Sequence, residues 1–494
     1  MLSTTLPITE SFRAEYLEYY GILPLAVENG ELRVAAAGNP SREVLDDLAT
    51  TFGATPTLID VDEEEIKVSV RAIFSAAQST DSLVKGLDLD DVVEERAGGD
   101  EAQADVRDLV NQPPVVRFVN LLIREAHDAL ASDIHVEVSA QGPAVRFRID
   151  GVLVPATAPP VALYAAVVSR LKLIADLDIA ERRVPQDGRI RVRLDDHDLD
   201  LRVSTVPSLF GESIVLRLLD QRAAPDGLTD LGMSSEVLDR FVRAARSPHG
   251  IVLATGPTGS GKTTTLYGAL QLRDASTEKI ITIEDPVEYR LSGITQVPVN
   301  RKAGMTFGAG LRALLRQDPD VIMVGEMRDQ ETARIAVQAA MTGHLVFSTV
   351  HTNDAASAVV RLIDLGIEPY LVAATLRSVL AQRLVRRVCG HCSSWSDQDS
   401  AFTSLSPVVD SDARFRHGAG CALCRQTGFR GRVGLFELMD VDERLRAEIA
   451  RASDADKIRA VAADAGMTSM LDDARTKVLD GVTTSQEVLR AIQS

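Results

Sequence analysis

The chain has 494 residues, 45% of them hydrophobic and 25% charged, with a net charge of −18. That length exceeds what one hydrophobic core can organise and predicts roughly three domains. The acidic balance argues against nucleic acid as a partner, because such a partner favours a basic surface, and no apolar run reaches the ~18 residues that would span a bilayer. The amino-terminal residues include Glu10, Arg13, Glu15 and Glu18. They lack the apolar core of a signal peptide, which predicts a cytoplasmic protein whose membrane work passes through a partner.

Residues 1–75 predict a small α/β module. Phe12, Leu17, Tyr20, Leu23, Leu25 and Val27 lead to a turn at Asn29-Gly30, and 32–37 follows as a strand. Ser41 can cap a helix with Val44, Leu45 and Leu48 on one face. Thr57-Leu-Ile reads as a second strand, and 63–74 as a helix with acids in its first turn, where the macrodipole favours them. No catalytic constellation stands out here, so docking is the default role. The stretch 76–112 predicts a solvated acidic linker, either a hinge or a passive spacer: residues 81–108 carry ten acids and three bases around Gly98-Gly99.

Residues 113–225 predict a second α/β domain. After Pro113-Pro114 an amphipathic helix places Val116, Val119, Ile123, Ala126 and Leu130 on one stripe. Strands are expected at 133–138, 145–149, 189–194, 200–205 and 213–219, with a helix over 162–174. Arginine and valine alternate near Arg189 and Arg202, so one sheet face is cationic. That face is either simply solvated or meets nucleotide phosphates across a subunit boundary.

Within 226–385, strand and helix patterns alternate, which predicts a parallel sheet with crossover helices. The apolar run 251–255 reads as a buried strand. Gly256-Pro257-Thr258-Gly259-Ser260-Gly261-Lys262-Thr263-Thr264 then supplies G-x-x-x-x-G-K-[ST], and helical spacing follows. The three glycines let the loop wrap an anion, with loop N–H groups and the helix N-terminus aimed at phosphate. Lys262 would reach the β- and γ-phosphates, and the Thr263 hydroxyl would ligate Mg²⁺.

The next strand ends in Glu284-Asp285-Pro286-Val287-Glu288, and 320–326 ends in Glu326; ligands sit at the carboxyl ends of such strands. Gly325 stands where P-loop enzymes usually carry an Asp on the Mg²⁺ side, and Asp320 is at the wrong end of its strand. Glu326 is therefore the candidate for polarising an attacking water, with Glu284 a second catalytic candidate. His344 and His351 flank another strand. Each either contacts the γ-phosphate side or is a satisfied structural histidine.

Residues 386–432 hold all four cysteines, Cys389, Cys392, Cys421 and Cys424. Two C-x₂-C knuckles in a reducing compartment read as a closed, structural Zn²⁺ site rather than disulfides. Residues 433–494 look helical and amphipathic, with Thr483-Thr484-Ser485-Gln-Glu487 capping a final helix.

Several of these segments together resemble the secretion and type IV pilus assembly ATPases, the type II secretion members most closely. The carriers are Ala131-Ser-Asp-Ile-His135-Val-Glu137, Arg148-Ile-Asp-Gly151, the run from Leu177 to Arg189, Arg202-Val-Ser-Thr and Gly211-Glu-Ser-Ile-Val-Leu-Arg217. Glu284 to Glu288 is similar to the family's aspartate box, Leu311 to Glu326 to its Walker B region, and Gly343 to Asp354 to its histidine box.

The resemblance implies an α/β fold: a RecA-like P-loop NTPase core, a preceding α/β domain, a small N-terminal α/β module and a tetracysteine zinc subdomain. It implies a homo-hexamer on the cytoplasmic face of the inner membrane, with ATP between the core and the preceding domain, and hydrolysis driving pseudopilus assembly. Arg189 and Arg202, and Arg312 and Arg316 in the core, match family arginines. The N-terminal module would dock on a membrane-platform protein; paired Arg-Leu-Gly repeats for a cyclic dinucleotide are missing. A type IV pilus extension ATPase, a nucleic-acid translocase and a nucleotide-gated scaffold are the competing readings.

Overall fold

The structure, a computed structural model, describes residues 2, 4–28, 30–77, 79–85, 110–194, 197–219, 227–406 and 413–493. Most of the expected acidic linker lies outside them. The chain divides into two compact units, Met1–Leu219 and Asp220–Ser494.

In the first unit, β1 (Ile22–Glu28), β2 (Glu31–Ala36) and β3 (Thr55–Asp60) form a sheet in that order, β1 antiparallel and β3 parallel to β2. The helix Arg42–Phe52 buries Val44 and Leu48, as its spacing requires, and stops where Gly53 takes a left-handed conformation. Part of the expected linker is instead ordered. The helix Thr80–Lys85 is tied to the next domain by Thr80, whose N–H and hydroxyl donate to the Glu125 carboxylate at 2.6 and 2.9 Å.

A six-stranded antiparallel sheet follows, made of β4 (Ala131–Ser139), β5 (Gly142–Ile149), β6 (Val152–Ala156), β7 (Gln186–Leu194), β8 (His197–Ser208) and β9 (Gly211–Leu219), in the order β6-β5-β4-β9-β8-β7. The helices Pro113–Asp128 and Val161–Ile174 cover one face through Phe118, Leu122, Val167 and Leu171. Leu130 does not join that stripe. The helix ends at Asp128, Leu130 turns with φ +53°, and its side chain is 75% exposed.

The second unit carries β10 (Gly250–Thr255), β11 (Ile280–Glu284), β12 (Thr295–Pro298), β13 (Val321–Val324), β14 (Leu345–Val350), β15 (Leu376–Val388), β16 (Ser393–Ser396), β17 (Phe415–Gly418) and β18 (Phe429–Asp440). Seven strands make one sheet, β12-β11-β13-β14-β10-β15-β18, parallel except for the last pair. Its central strands are apolar without alternation because both faces are buried. Ile251, Leu253, Ile281, Ile283, Ile322 and Val324 enter one core, with the helices Gln330–Met341 and Ala355–Asp364. Val252, Ala254, Ile280, Val321 and Met323 enter the other, with Ser235–Ala245 and Lys262–Gln271. Asp329 and Asp354 cap the first pair of helices by accepting from Thr332 N and Ser357 N.

The carboxy-terminal region departs from the expected helical reading. The cysteine-rich segment is an excursion from the main sheet: β15 runs up to it, and β18 returns antiparallel, crossing the expected boundary at 432. Helices follow only from Glu443. The last one begins at Ser485, with Thr484 accepting from Glu487 N at 3.4 Å. The Glu487 carboxylate does not complete a capping box. It takes a two-pronged hydrogen bond from Arg386 on β15, at 2.9 and 2.6 Å, and the guanidinium also lies over Phe429.

Burial pushes the Glu487 carboxyl up, but Arg386, and then Arg490, outweigh it and hold it below the usual range. Glu487→Gln is therefore expected to cost about 2–3 kcal/mol at neutral pH. A depressed carboxyl contributes stability above its unfolded value and loses it as pH falls through the native one. Thermal unfolding of wild type and variant should differ at neutral pH and converge in acid.

Candidate functional site

The loop between β10 and the helix Lys262–Gln271 is the centre of the site. Gly256, Gly259 and Gly261 all have positive φ, at 149°, 79° and 87°. Thr258 and Gly259 form the exposed tip, Pro257 is half-buried, Ser260 is buried, and Thr263 and Thr264 stand half-exposed in the first helical turn. A Cβ on Gly256 would lie 2.4 Å from the Gln382 carbonyl oxygen, so only glycine fits there. Lys262 is 8% exposed, and its ammonium donates to Gly256 O and Pro257 O at 2.7 and 2.9 Å. Burial pushes its pKa down to about 8; Glu326 opposes the shift and Arg383 adds to it.

Glu326 follows β13 and reaches the same neighbourhood. Its side chain is 14% exposed, paired with Arg328 at 2.6 Å and 3.7 Å from His351 Nε2. Burial, then Lys262, keep His351 below the usual histidine range, Arg328 adding and Glu326 opposing. The imidazole is therefore neutral at pH 7 and able to donate or accept.

Glu284 is placed differently. It is 2% exposed and accepts from Tyr267, from Thr282 at 2.5 Å and from Gln296 at 3.3 Å. Burial raises its pKa against the pull of those three donors.

The other expected residues spread further. His344 is corrected by the register: β14 runs parallel to β10 with Leu345 opposite Gly250. That puts His344 at the opposite edge of the sheet, on the order of 17 Å of strand from the loop. There its Nδ1 faces Ala339 O at 2.9 Å. Arg312 pairs with Glu331 at 2.5 Å, and Arg316 donates to Arg312 O. Arg189 and Arg202 belong to the first unit, where they face each other across β7 and β8. The same cross-strand row continues through Arg217, Asp133 and Arg148. Asp133, 5% exposed, accepts from Arg217 at 2.9 Å and interrupts the like charges.

The four cysteine sulfurs converge within 4.8 Å of one another. The spacings Cys389–Cys421, Cys392–Cys424 and Cys421–Cys424 are 4.0, 3.7 and 3.6 Å. Four thiolates about 2.3 Å from one Zn²⁺ would stand about 3.8 Å apart in a tetrahedron, so the donor set fits that ion. Backbone N–H groups of Cys421 and Gly428 donate to Cys424 Sγ.

Sequence reasoning missed Tyr267, Gln296, Thr352, Gln382, Arg383 and Arg328. Thr255 and Thr352 share a 2.7 Å hydrogen bond that joins the ends of β10 and β14. The signal available for Gln382 and Arg383 was a polar pair directly after the apolar run Val379-Leu-Ala381.

Residues 108–490 match the model of a family described as type II/IV secretion system protein. Type II secretion system protein HxcR of Pseudomonas aeruginosa is 46% identical over 437 residues, 88% of this chain and 90% of that one. Type II secretion system protein E of Xanthomonas campestris is 40% identical over 501 residues, 99% of this chain and 86% of that one. Type II secretion system ATPase E of Vibrio cholerae is 47% identical over 387 residues, 78% and 77% of the two chains. Among solved structures, the pilus retraction motor PilT with bound ADP matches with a TM-score of 0.52 and 26% identity, over 74% of this chain and 95% of that one. The Legionella pneumophila ATPase DotB shares the fold, with a TM-score of 0.56, 23% identity, and 75% and 94% coverage. The chain belongs to the type II/IV secretion system protein family.

Proposed function

We propose that this chain is the ATPase of a type II secretion system, a homo-hexamer whose ATP hydrolysis drives pseudopilus assembly and protein export. The observation that supports this most is that a buried loop lysine, Lys262, and a carboxylate, Glu326, feel each other's charge at the carboxyl ends of β10 and β13, two parallel strands on either side of β14. When ATP binds, its β- and γ-phosphate oxygens replace the carbonyls of Gly256 and Pro257 as partners of the ammonium. Glu326 takes a proton from the water that attacks the γ-phosphorus. The bond to the bridging β–γ oxygen breaks, and ADP and phosphate leave. Lys262 and the loop N–H groups hold the negative charge of the transition state.

Arg328, paired with Glu326 at 2.6 Å, holds that carboxylate in place, and neutral His351 can hydrogen-bond the water or the terminal phosphate. Thr263 is the residue that would hold Mg²⁺, whose charge would offset that of the phosphates. Glu284, with its oxygens engaged, serves to position: it ties Tyr267, four residues beyond Thr263, to the sheet. Arg189 and Arg202, together with Arg312 and Arg316, are the cations proposed to complete the site in the assembled ring.

The module at 1–75 is assigned to docking on an inner-membrane platform protein, which would hold the chain at the cytoplasmic face of that membrane. Among the described residues no helix is long and apolar enough to cross a membrane, and Tyr19 in the module is 81% exposed. Cys389, Cys392, Cys421 and Cys424 are assigned to structural Zn²⁺, with no catalytic step.

Four measurements check this reading. Lys262→Ala should lose nucleotide binding and turnover. Glu326→Gln should keep nucleotide binding and lose about a hundredfold or more in kcat, while Glu284→Gln loses less. A Glu326→Gln enzyme with wild-type turnover would remove the catalytic assignment. Purified protein should hold one zinc per chain by elemental analysis, and its chelation should lower the melting temperature without changing nucleotide affinity. Specific ATPase activity should rise with protein concentration in step with a sixfold mass increase.

A further inference from the structure

We propose that Gln382 and Arg383 on β15 are positioning residues for the phosphate loop, setting its shape from behind and linking it to the turn that carries His351. The proposal rests on the ATPase reading above. The register brings these residues to the loop: Thr255, the last residue of β10, is opposite Ala381. Where β10 gives way to the loop, β15 continues straight on, so Gln382 is the next residue alongside.

The fit is close on several sides. Gln382 is 1% exposed, and its Nε2 donates to Ser260 O at 2.6 Å. Turning the amide over would set two oxygens against each other. Its main-chain carbonyl oxygen would lie 2.4 Å from a Cβ at Gly256, with Ser260 Oγ at 2.6 Å, and its side-chain Nε2 stands 3.1 Å from where a Cβ of Gly261 would lie. The two glycines that bracket the loop are thus both moulded around one glutamine.

Arg383 carries the link onward. It is 5% exposed, donates to that same Gln382 carbonyl at 3.3 Å, and reaches Asn353 Oδ1 at 3.1 Å. Asn353 sits two residues after His351, which lies 3.7 Å from Glu326. Among the described residues Arg383 has no direct carboxylate partner; Asp354 and Glu437 favour its charge through space against the effect of burial. Those two acids fix the start of the helix Ala355–Asp364, by accepting from Ser357 N and Ala355 N. One guanidinium therefore bonds the main chain of β15 that backs the phosphate loop and the base of the turn facing the carboxylate of Glu326.

A purely structural role leaves something over. Ser260 Oγ, Gln382 Oε1 and Arg383 Nε are buried without a hydrogen-bond partner. Buried polar atoms left unpaired cost stability, and native structures keep few of them. Three on the loop and on the two strand residues behind it are accounted for if the loop has a second arrangement, with nucleotide bound, in which they are satisfied.

The test uses the full chain. Gln382→Leu keeps the volume and removes the amide, and Gln382→Asn withdraws it by one methylene. Arg383→Gln removes the fork and the charge. Melting temperature, affinity for a fluorescent ADP analogue, KM and kcat are measured for each. The expected result for both glutamine variants is nucleotide affinity weaker by about tenfold with KM raised to match. For Arg383→Gln the larger effect is expected on kcat, because Glu326 is then poorly aimed. Wild-type affinity and KM in folded Gln382→Leu or Gln382→Asn, even with a lowered melting temperature, overturn the proposal. Failure of the wild-type chain to hydrolyse ATP at any concentration would strike the ATPase reading instead, and the affinity comparison would still decide this one.

Discussion

The ammonium of Lys262 is the constraint around which the second unit is arranged. It is buried, and within its own loop it meets only the carbonyls of Gly256 and Pro257. Two neutral acceptors satisfy hydrogen bonds but do not neutralise a charge, and a buried charge without a counter-charge is costly. The nearest compensation is Glu326, which already divides its attention between Arg328 and His351. An anionic ligand in the loop would relieve that deficit. The buried ammonium thus favours an anion in the loop, and a triphosphate has the charge to suit it.

Strand ends decide which groups can meet there. Because β10, β11, β13 and β14 are parallel and buried on both faces, whatever follows each of them emerges at one edge. The phosphate loop, Glu326 and His351 all come from that edge. His344 and Asp320 precede their strands and fall at the other edge, where Asp320 accepts from Lys279 N. The antiparallel pair β15 and β18 breaks the rule usefully. At 13 and 12 residues these are long strands, and they extend past the loop edge to hold the cysteine knuckles on one end and the carboxy-terminal helices along their length. The Arg386–Glu487 fork lies on this extension, so the last helix is fastened to the strand that backs the phosphate loop.

How much of this could be read in advance varied with the kind of signal. The phosphate loop was legible because its chemistry needs a fixed local spacing, and so were the paired cysteines. The parallel core was legible because strands buried on both faces lose all alternation. The long strands β15 and β18 were not. Their sequences mix Gln382, Arg383, Arg386, Glu437 and Asp440 with apolar residues, and only contacts distant in sequence show that most of those polar groups are buried and paired. Glu284 looked catalytic because it ends a core strand. Its neighbours Tyr267 and Gln296, 17 residues before and 12 after it, are what enclose it. Pairing with Glu125, 45 residues away, likewise turned the start of an acidic linker into an ordered helix.

The same edge bears on why the carboxylate proposed to be catalytic stands at 326 and not one residue earlier. Gly325 is clamped by its own N–H donating to Ile283 O and its carbonyl accepting from Thr349 Oγ1. A Cβ there would lie 3.3 Å from Ile283 O, 3.4 Å from Glu284 Cα and 3.5 Å from the Phe307 ring. A carboxylate carried on that Cβ would start against the main chain of Glu284, itself a buried acid. Like charges brought together out of water repel strongly. Moving one residue along reverses the side-chain direction and brings the acid beside Arg328 and within the field of Lys262. The glycine and the buried Glu284 are therefore two halves of one arrangement: the close packing of Gly325 on the end of β11, where an acid is enclosed, leaves the next position, 326, to carry a carboxylate.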